Sequence, residues 1–317
     1  MNNPEVSIII PVYQVEKYIK MSIKSICEQT FKNIEIIIVN DGTMDNSIKI
    51  AKDILQNYNV EWTVIDQENK GVSAARNRGI KKARGNWIIC VDPDDIIHTR
   101  FIELLYSACI SKRANISFCD FKMVTTNEIE INPTFLNTMQ VYNQKEILKG
   151  FLRRQITIIS PAMLIKKDFI YKNNLYYEET CLFSEDQHFI WQVLSYTEKI
   201  VHVKSKLYYY LSRENSTMTS SKPSKIINGY YSINKLEKKI PLDKKFKKNL
   251  VSRWVIGAIR SAAKISDYRD FIYICNNLNY RKHLVRLLLF PDIKVILLTV
   301  IMLLNQNLSY KLIRKFL

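Results

Sequence analysis

The stretch that decides the fold stands near the start of the chain and reads Val6-Ser-Ile-Ile-Ile-Pro-Val-Tyr13. Its apolar part, Val6–Ile10, has the length and the branched side chains of a buried strand, which Pro11 is expected to end. Apolar residues at helical spacing follow over Glu16–Gln29. A strand without polar alternation that leads into a helix is typical of a parallel sheet buried on both faces.

The same alternation of strand and helix continues for the first third of the chain. Further strand patterns lie at Glu35–Val39, Trp62–Ile65, Trp87–Val91 and Ile116–Cys119, and helical patterns lie at Asp45–Gln56, Gly71–Ala83 and Thr99–Lys112. In such α/β sheets, ligands bind beyond the carboxyl ends of the strands. This rule points to three segments, which are Pro11–Tyr13, Asn40–Gly42 and Asp92–Asp95.

The strongest chemical signal is the acidic tetrapeptide Asp92-Pro93-Asp94-Asp95, which follows a predicted strand. Clustered carboxylates repel one another unless they hold a cation, and hard oxygen ligands suit Mg²⁺ or Mn²⁺. An acidic turn that caps the helix near Thr99 would also explain the tetrapeptide. Asp41 stands at the end of another strand, in a turn, and is a second candidate for a role in ligand binding.

Four segments, taken together, resemble the family 2 glycosyltransferases, which are inverting enzymes with the GT-A fold. They stand in the family's order and are Val6–Tyr13, Asn40–Ser47, Asn69–Asn77 and Val91–Asp95. The resemblance implies an α/β fold with a mostly parallel, Rossmann-like nucleotide-binding sheet. It also implies a nucleotide-sugar donor, here a UDP-sugar, and Mn²⁺ or Mg²⁺ as cofactor.

The resemblance assigns donor-binding roles to individual residues. Pro11, Val12 and Tyr13 would line the nucleobase pocket, and Asp41 would accept a hydrogen bond from the uracil N–H. Arg76 would lie near the base or the diphosphate, and Asp92 would face the ribose. Asp94 would bind the metal, with Asp95 beside it. Asn40 departs from the family, which commonly has Asp there. Arg213, beyond a Tyr-rich strand, could reach the diphosphate or could be a surface arginine.

The family's catalytic base is expected in Phe183-Ser184-Glu185-Asp186, which looks like the start of an acceptor-side helix. An inverting displacement needs one carboxylate to take the acceptor proton. We assign the base to Asp186 and a supporting role to Glu185. Both acids could instead be there because a helix N-terminus favours negative charge. The processive members' Gln-x-x-Arg-Trp motif is incomplete at Leu250, so we expect the addition of a single sugar.

The net charge of +17 is concentrated in the last third of the chain. Residues 222–317 hold 20 Lys and Arg against 5 Asp and Glu, whereas residues 1–221 hold 27 against 25. We therefore expect a catalytic domain at 1–221, with a nucleotide-sugar half (1–120) and an acceptor half (121–221), and a basic helical extension at 222–317. A basic block favours a polyanionic partner, although a well-solvated surface would look the same.

The apolar runs Leu284–Phe290 and Val295–Leu304 follow in this basic region. The second is far shorter than the roughly 20 residues a spanning helix needs, so a core helix and an interfacial helix both fit. We expect peripheral binding to the inner face of a bacterial membrane. The acceptor would then be an undecaprenyl-diphosphate-linked sugar in O-antigen (lipopolysaccharide) or capsule synthesis.

Two rival functions fit parts of the sequence. A nucleic-acid-binding protein would need a basic stripe interleaved with aromatics on one surface. The basic block instead lies outside the nucleotide-binding region and is followed by apolar helices, so we expect no nucleic-acid partner. A nucleotidyltransferase would share the metal carboxylates but gives no reason for Glu185-Asp186. The six cysteines have no metal-ligand spacing, and Met1–Glu5 is polar, which together predict a cytoplasmic protein.

Overall fold

The computed structural model of the chain describes residues 3–125, 138–212, 222–288 and 293–316. The strands in these ranges are β1 (Val6–Val12), β2 (Ile34–Asn40), β3 (Glu61–Asp66), β4 (Trp87–Cys90), β5 (Ile96–Ile97), β6 (Ile116–Val124), β7 (Met139–Asn143), β8 (Met163–Lys166) and β9 (Lys199–Leu211). The first seven helices are α1 (Ile19–Cys27), α2 (Ser47–Leu55), α3 (Val72–Lys82), α4 (Phe101–Lys112), α5 (Gln144–Leu152), α6 (Lys167–Lys172) and α7 (Glu185–Tyr196). The remaining helices are α8 (Pro223–Lys239), α9 (Lys244–Ile265), α10 (Tyr268–Asn277), α11 (Tyr280–Leu287), α12 (Ile293–Leu304) and α13 (Gln306–Phe316).

The strands form one sheet in the order β3-β2-β1-β4-β8-β6-β9-β5, with β7 paired to β9. β1 runs parallel to β2 and to β4, and β2 runs parallel to β3. All seven residues of β1 are buried, as expected for a strand covered on both faces. The predicted α/β fold is confirmed, and the carboxyl ends of β1, β2 and β4 lie at one edge of the sheet.

The prediction that Pro11 ends the first strand is wrong, because β1 continues to Val12. The backbone explains why proline is tolerated there. Ile9 accepts from the N–H of Val91 on the β4 side, and Val12 accepts from the N–H of Asp41 on the β2 side. Since successive residues of a strand alternate between neighbours, the nitrogen of Pro11 faces the β4 side. β4 ends at Cys90, so the N–H that Pro11 lacks interrupts only the pairing of β1 with β4 and not its pairing with β2.

The chain divides into two compact units. Unit 1 comprises Met1–Phe151, Ile156–Glu179 and Phe189–Arg213 and contains the sheet. Unit 2 comprises Leu152–Gln155, Thr180–His188 and Glu214–Leu317, so it takes in two short segments that lie before residue 222. The predicted boundary at residue 221 stays a prediction.

Unit 2 is helical in its described residues, and α9 is its central helix, packed by α8, α10, α11 and α13. Its core includes the buried side chains of Trp254 and Phe271. Within the ranges given above, no helix is long and apolar enough to cross a membrane. All six cysteines of the chain are buried, and none forms a disulfide.

Candidate functional site

The loops after β1 and β2 are joined by hydrogen bonds at the carboxyl edge of the sheet. The N–H of Gln14 donates to Oγ1 of Thr43 at 2.8 Å, and the N–H of Glu16 donates to a carboxylate oxygen of Asp45 at 3.1 Å. These bonds hold in place the backbone that directly follows Tyr13. The predicted nucleobase-pocket residues Pro11 and Val12 are buried, and Tyr13, at the end of the strand, is 43% exposed.

Asp41 is 3% exposed, and its carboxylate organises the loop that leads into α3. One oxygen accepts from Nε2 of Gln67 and from the N–H of Lys70, both at 2.8 Å. The other oxygen accepts from the N–H of Gly71 at 2.9 Å. Gly71 is the N-cap residue of α3 and has φ of 88°, a region that glycine adopts without strain. Asp41 therefore fixes the start of the helix that carries Arg76.

The departure from the family at Asn40 has a local explanation. The Asn40 amide donates to a carboxylate oxygen of Asp66 at 2.8 Å, and its own oxygen accepts from the N–H of Thr43 at 2.9 Å. An aspartate at this position would bring a second carboxylate within hydrogen-bond distance of Asp66. The amide is the side chain that satisfies both partners.

Arg76 and Asp92 form an ion pair at the carboxyl edge of the sheet. Nη2 of Arg76 donates to Oδ1 of Asp92 at 2.7 Å, and the two side chains are 3% and 20% exposed. The Arg76 guanidinium also lies 4.9 Å from the centre of the Tyr177 ring, within cation–π range. The structure thus brings together two of the residues to which the sequence assigns donor binding.

Asp95 is buried and makes two hydrogen bonds within the protein. The hydroxyl of Tyr208 donates to one carboxylate oxygen at 2.7 Å, and the N–H of Leu211 donates to the other at 2.9 Å. Burial, followed by the negative charge of Asp92, raises the pKa of Asp95 to about 8, against the effect of the two donors. Burial and the charges of Asp95 and Asp92 raise the pKa of Tyr208, so its hydroxyl keeps the proton that it donates.

Asp94 lies between these two anchored acids and is half-buried. Among the residues of the described ranges, no group of three or more His, Cys, Asp or Glu side chains could hold a metal by itself. Mg²⁺ is commonly bound by one or two carboxylates, with substrate phosphates and water completing its shell. A partial carboxylate set such as Asp94 with Asp95 beside it fits a metal that binds together with a diphosphate.

The hydrogen bonds of Asn77 in α3 were not predicted from the sequence. Nδ2 of Asn77 donates to the carbonyl of Tyr177 and to Glu179, both at 2.9 Å, and its oxygen accepts from the N–H of Tyr177 at 2.9 Å. The Tyr177 ring stacks on Phe189 at 4.0 Å. Asn77 therefore holds in place the ring that covers Arg76. The only sequence signal for Asn77 was its place in the segment Asn69–Asn77, one of the four segments that resemble the family.

The predicted catalytic acids belong to unit 2. Glu185 and Asp186 are half-buried and form the first turn of α7, where the helix dipole favours negative charge. The backbone carbonyl of Ser184 accepts from the N–H of His188 at 3.0 Å, which starts the helix. Their catalytic roles stay predictions. Arg213, the other predicted donor-binding residue, lies outside the described residues.

Comparison with known proteins supports the interpretation of the motifs. The family model "Glycosyl transferase family 2" matches residues 7–174, which is more than half of the chain. The chain is 33% identical over 216 residues to "Uncharacterized glycosyltransferase EpsJ" of Bacillus subtilis, covering 67% of this chain and 62% of that protein. It is 32% identical over 231 residues to "Minor teichoic acid biosynthesis protein GgaB" of the same species, covering 70% of this chain and 25% of that protein. The chain thus spans less than two thirds of either relative.

Two solved structures share the fold. The crystal structure of S. aureus TarS residues 1–349 in complex with UDP-GlcNAc matches with a TM-score of 0.71 at 17% identity, over 98% of this chain and 90% of that one. The mannosyltransferase PcManGT from Pyrobaculum calidifontis, in complex with GDP-Man and Mn²⁺, matches with a TM-score of 0.60 at 11% identity, over 100% and 88%. At these identities the likeness concerns the fold alone.

Proposed function

Because this chain belongs to glycosyl transferase family 2 and has the GT-A fold, we propose that it moves one sugar from a UDP-sugar to a hydroxyl of a glycan acceptor, with inversion. The observation that carries the proposal is the acid segment Asp92–Asp95, which follows β4 at the sheet edge that binds ligands in this fold class. Arg76 pairs with the first of these acids, and Tyr208 holds the last. The protein thus holds both ends of the acid segment in fixed positions at this edge.

The donor's nucleoside would bind over Tyr13, in a pocket that Pro11 and Val12 also line. An exposed tyrosine ring at the end of a strand offers a face on which a base can stack. The uracil N–H would reach Asp41, each of whose oxygens can accept more than one hydrogen bond. The TarS complex with UDP-GlcNAc supports a UDP-sugar as donor. Asp92 would face the ribose, and Arg76 and Arg213 would lie near the diphosphate.

Asp94 would hold Mn²⁺ or Mg²⁺, with Asp95 beside it. When bound, the metal would neutralise charge on the departing diphosphate. Asp95 would hold the acid segment in position, since both of its oxygens already accept hydrogen bonds from the protein. The PcManGT complex with Mn²⁺ supports a metal in this fold class.

Asp186 would act as the general base. As the acceptor oxygen attacks the anomeric carbon from the side opposite the diphosphate, its proton would pass to the Asp186 carboxylate, and the bond from that carbon to the phosphate oxygen would break. UDP leaves with the bonding electrons, and the new glycosidic bond has the inverted configuration. Glu185 would support the base from the same helix turn.

The acceptor would be a growing bacterial surface glycan, such as O-antigen, capsule or teichoic acid, linked through a diphosphate to undecaprenol. The similarity to GgaB supports a surface polymer, and the basic residues 222–317 support an anionic membrane on the cytoplasmic side as the place of action.

The test is to incubate the full chain with a panel of UDP-sugars, Mn²⁺ and lipid-diphosphate-linked sugars, and to determine the anomeric configuration of the product by NMR. We expect one α-linked UDP-sugar to yield a β-linked product. A retained configuration would contradict the inverting mechanism, and absence of transfer from every UDP-sugar of the panel would contradict the proposed function.

A further inference from the structure

The outer side of α12 is apolar, which is unusual for a helix at a protein surface. Leu297, Val300 and Leu304 are 60%, 37% and 82% exposed, while Thr299 and Met302 on the other side are fully buried. A surface helix normally places polar residues on its outer side. Here no charged residue occurs from Val295 to Leu304.

The apolar surface extends to the start of the next helix and is followed by cations. Leu308, in the first turn of α13, is 48% exposed. Lys311, Arg314 and Lys315 are exposed further along α13, and neither α12 nor α13 contains an acidic residue. We call Leu297, Val300, Leu304 and Leu308 the α12 face.

We propose that the α12 face inserts into the headgroup region of an anionic lipid bilayer, with the cations of α13 on the lipid phosphates. α12 has 12 residues and is therefore about 18 Å long, against a hydrocarbon core of roughly 30 Å. It is too short to span, and its exposed apolar residues lie next to the cations of α13, the combination of apolar surface and positive charge that favours the interface of an anionic bilayer. The inference rests on the proposed function, because a lipid-linked acceptor is presented at that surface.

Charge favours lipid over a second copy of the chain as the occupant. In a symmetric dimer built on this face, the same cations would come from both copies, and no acid on α12 or α13 could pair with them. An anionic lipid surface supplies the opposite charge. The net charge of residues 222–317, 20 positive against 5 negative side chains, adds long-range attraction.

The experiment is flotation of the full chain with vesicles of phosphatidylglycerol mixed with phosphatidylcholine, and with vesicles of phosphatidylcholine alone. We expect binding to the anionic vesicles. The double substitution Leu297→Gln with Leu304→Gln should weaken it by at least about tenfold, since two large apolar side chains are no longer buried. Lys311→Glu with Lys315→Glu should also weaken it, by roughly fivefold or more for each cation. Ile110→Gln, at a site of unit 1 that is 52% exposed, is the matched control and should bind like the wild type.

Two further measurements separate this inference from the proposed function. UDP affinity and the mass in solution should be the same for the wild type and the variants. Equal flotation of the leucine variant and the wild type would overturn the inference while leaving the proposed function intact. A wild-type dimer that the leucine substitutions dissociate, without vesicle binding, would assign the face to a second copy. Loss of UDP binding in the unaltered chain would instead count against the proposed function.

Discussion

The hydroxyl of Tyr208 donates a 2.7 Å hydrogen bond to the carboxylate of Asp95, although the two residues stand 113 positions apart. The short strand β5 begins directly after Asp95 and pairs with Tyr208 and Tyr209 of β9. The same hydroxyl accepts from the N–H of Asp92 at 3.4 Å. One buried tyrosine thus touches both ends of the acid segment and sets the position of Asp94 between them.

Replacing Tyr208 with Phe should lower kcat by about tenfold or more. Removing one partner of a buried hydrogen bond costs about 1–3 kcal/mol, and without this bond the acid segment loses its fixed position. The measurement is the rate of UDP release from the donor. Tyr209→Phe is the matched control, because no described residue makes a hydrogen bond to the buried Tyr209 hydroxyl. Equal rates for the two variants would contradict a positioning role for Tyr208.

Substitutions in the ion pair between Arg76 and Asp92 should change the stability of the fold and the affinity for the donor in different ways. Asp92→Ala leaves a buried guanidinium without its carboxylate, so we expect a loss of roughly 2–4 kcal/mol in the free energy of unfolding. Adding Arg76→Met should restore much of that stability, because the buried guanidinium is then absent as well. UDP affinity, measured by calorimetry, should stay low in both variants. A double variant that binds UDP as tightly as the wild type would exclude both residues from the donor site.

Asp186→Asn should leave UDP affinity unchanged and lower the transfer rate by about 10²–10⁴-fold, the usual contribution of a general base. The asparagine keeps the size of the side chain but cannot take the acceptor proton. Glu185→Gln, one residue earlier on the same helix turn, is the control and should retain more activity. If Glu185→Gln is inactive and Asp186→Asn transfers normally, the base is Glu185.

His283 should make unit 2 sensitive to acid. Its ring lies between the hydroxyls of Tyr230, at 3.0 Å, and Ser252, at 3.1 Å. Burial, and then the charges of Arg286 and Lys282, lower the pKa of His283 from 6.5 to about 4. Below pH 6.5 the unfolded chain therefore binds a proton at this residue that the folded chain does not. The free energy of unfolding consequently decreases as the pH falls from 6.5, until the pKa of the folded state is reached.

We expect this residue to account for a loss of roughly 3 kcal/mol in the free energy of unfolding between pH 6.5 and about 4. Urea unfolding across that range should give a shallower pH dependence for His283→Gln than for the wild type. The same slope in both proteins would show that His283 is protonated equally in the folded and unfolded chains.

The sequence was sufficient to place the strands that build the site. Runs such as Val6–Ile10 and Glu35–Val39 have no polar alternation, so they could only be buried on both faces, and the acids after them had to meet at one edge. The partners of those acids could not be predicted. Tyr208 reaches Asp95 through pairing between distant strands, and Asp41 accepts from backbone N–H groups that no sequence pattern marks.

The sequence also left the last apolar run undecided. Val295–Leu304 is apolar on every side, so its pattern fits a core helix and an interfacial helix equally well. The exposure of Leu297 and Leu304 depends on which neighbours cover α12, and that is a property of the folded unit.

A metal-dependent transfer at the acid segment requires that UDP release from the donor depend on a divalent cation and on Asp94. We expect the wild type with Mn²⁺ to release UDP from one UDP-sugar and to lose the activity in excess chelator. Asp94→Asn should be slower by at least about 100-fold with the metal present, the scale of losing one electrostatic stabiliser. Asp45→Asn, in the loop after β2, is the control variant and should retain its dependence on metal. Full activity of the wild type in excess chelator would contradict metal-dependent catalysis.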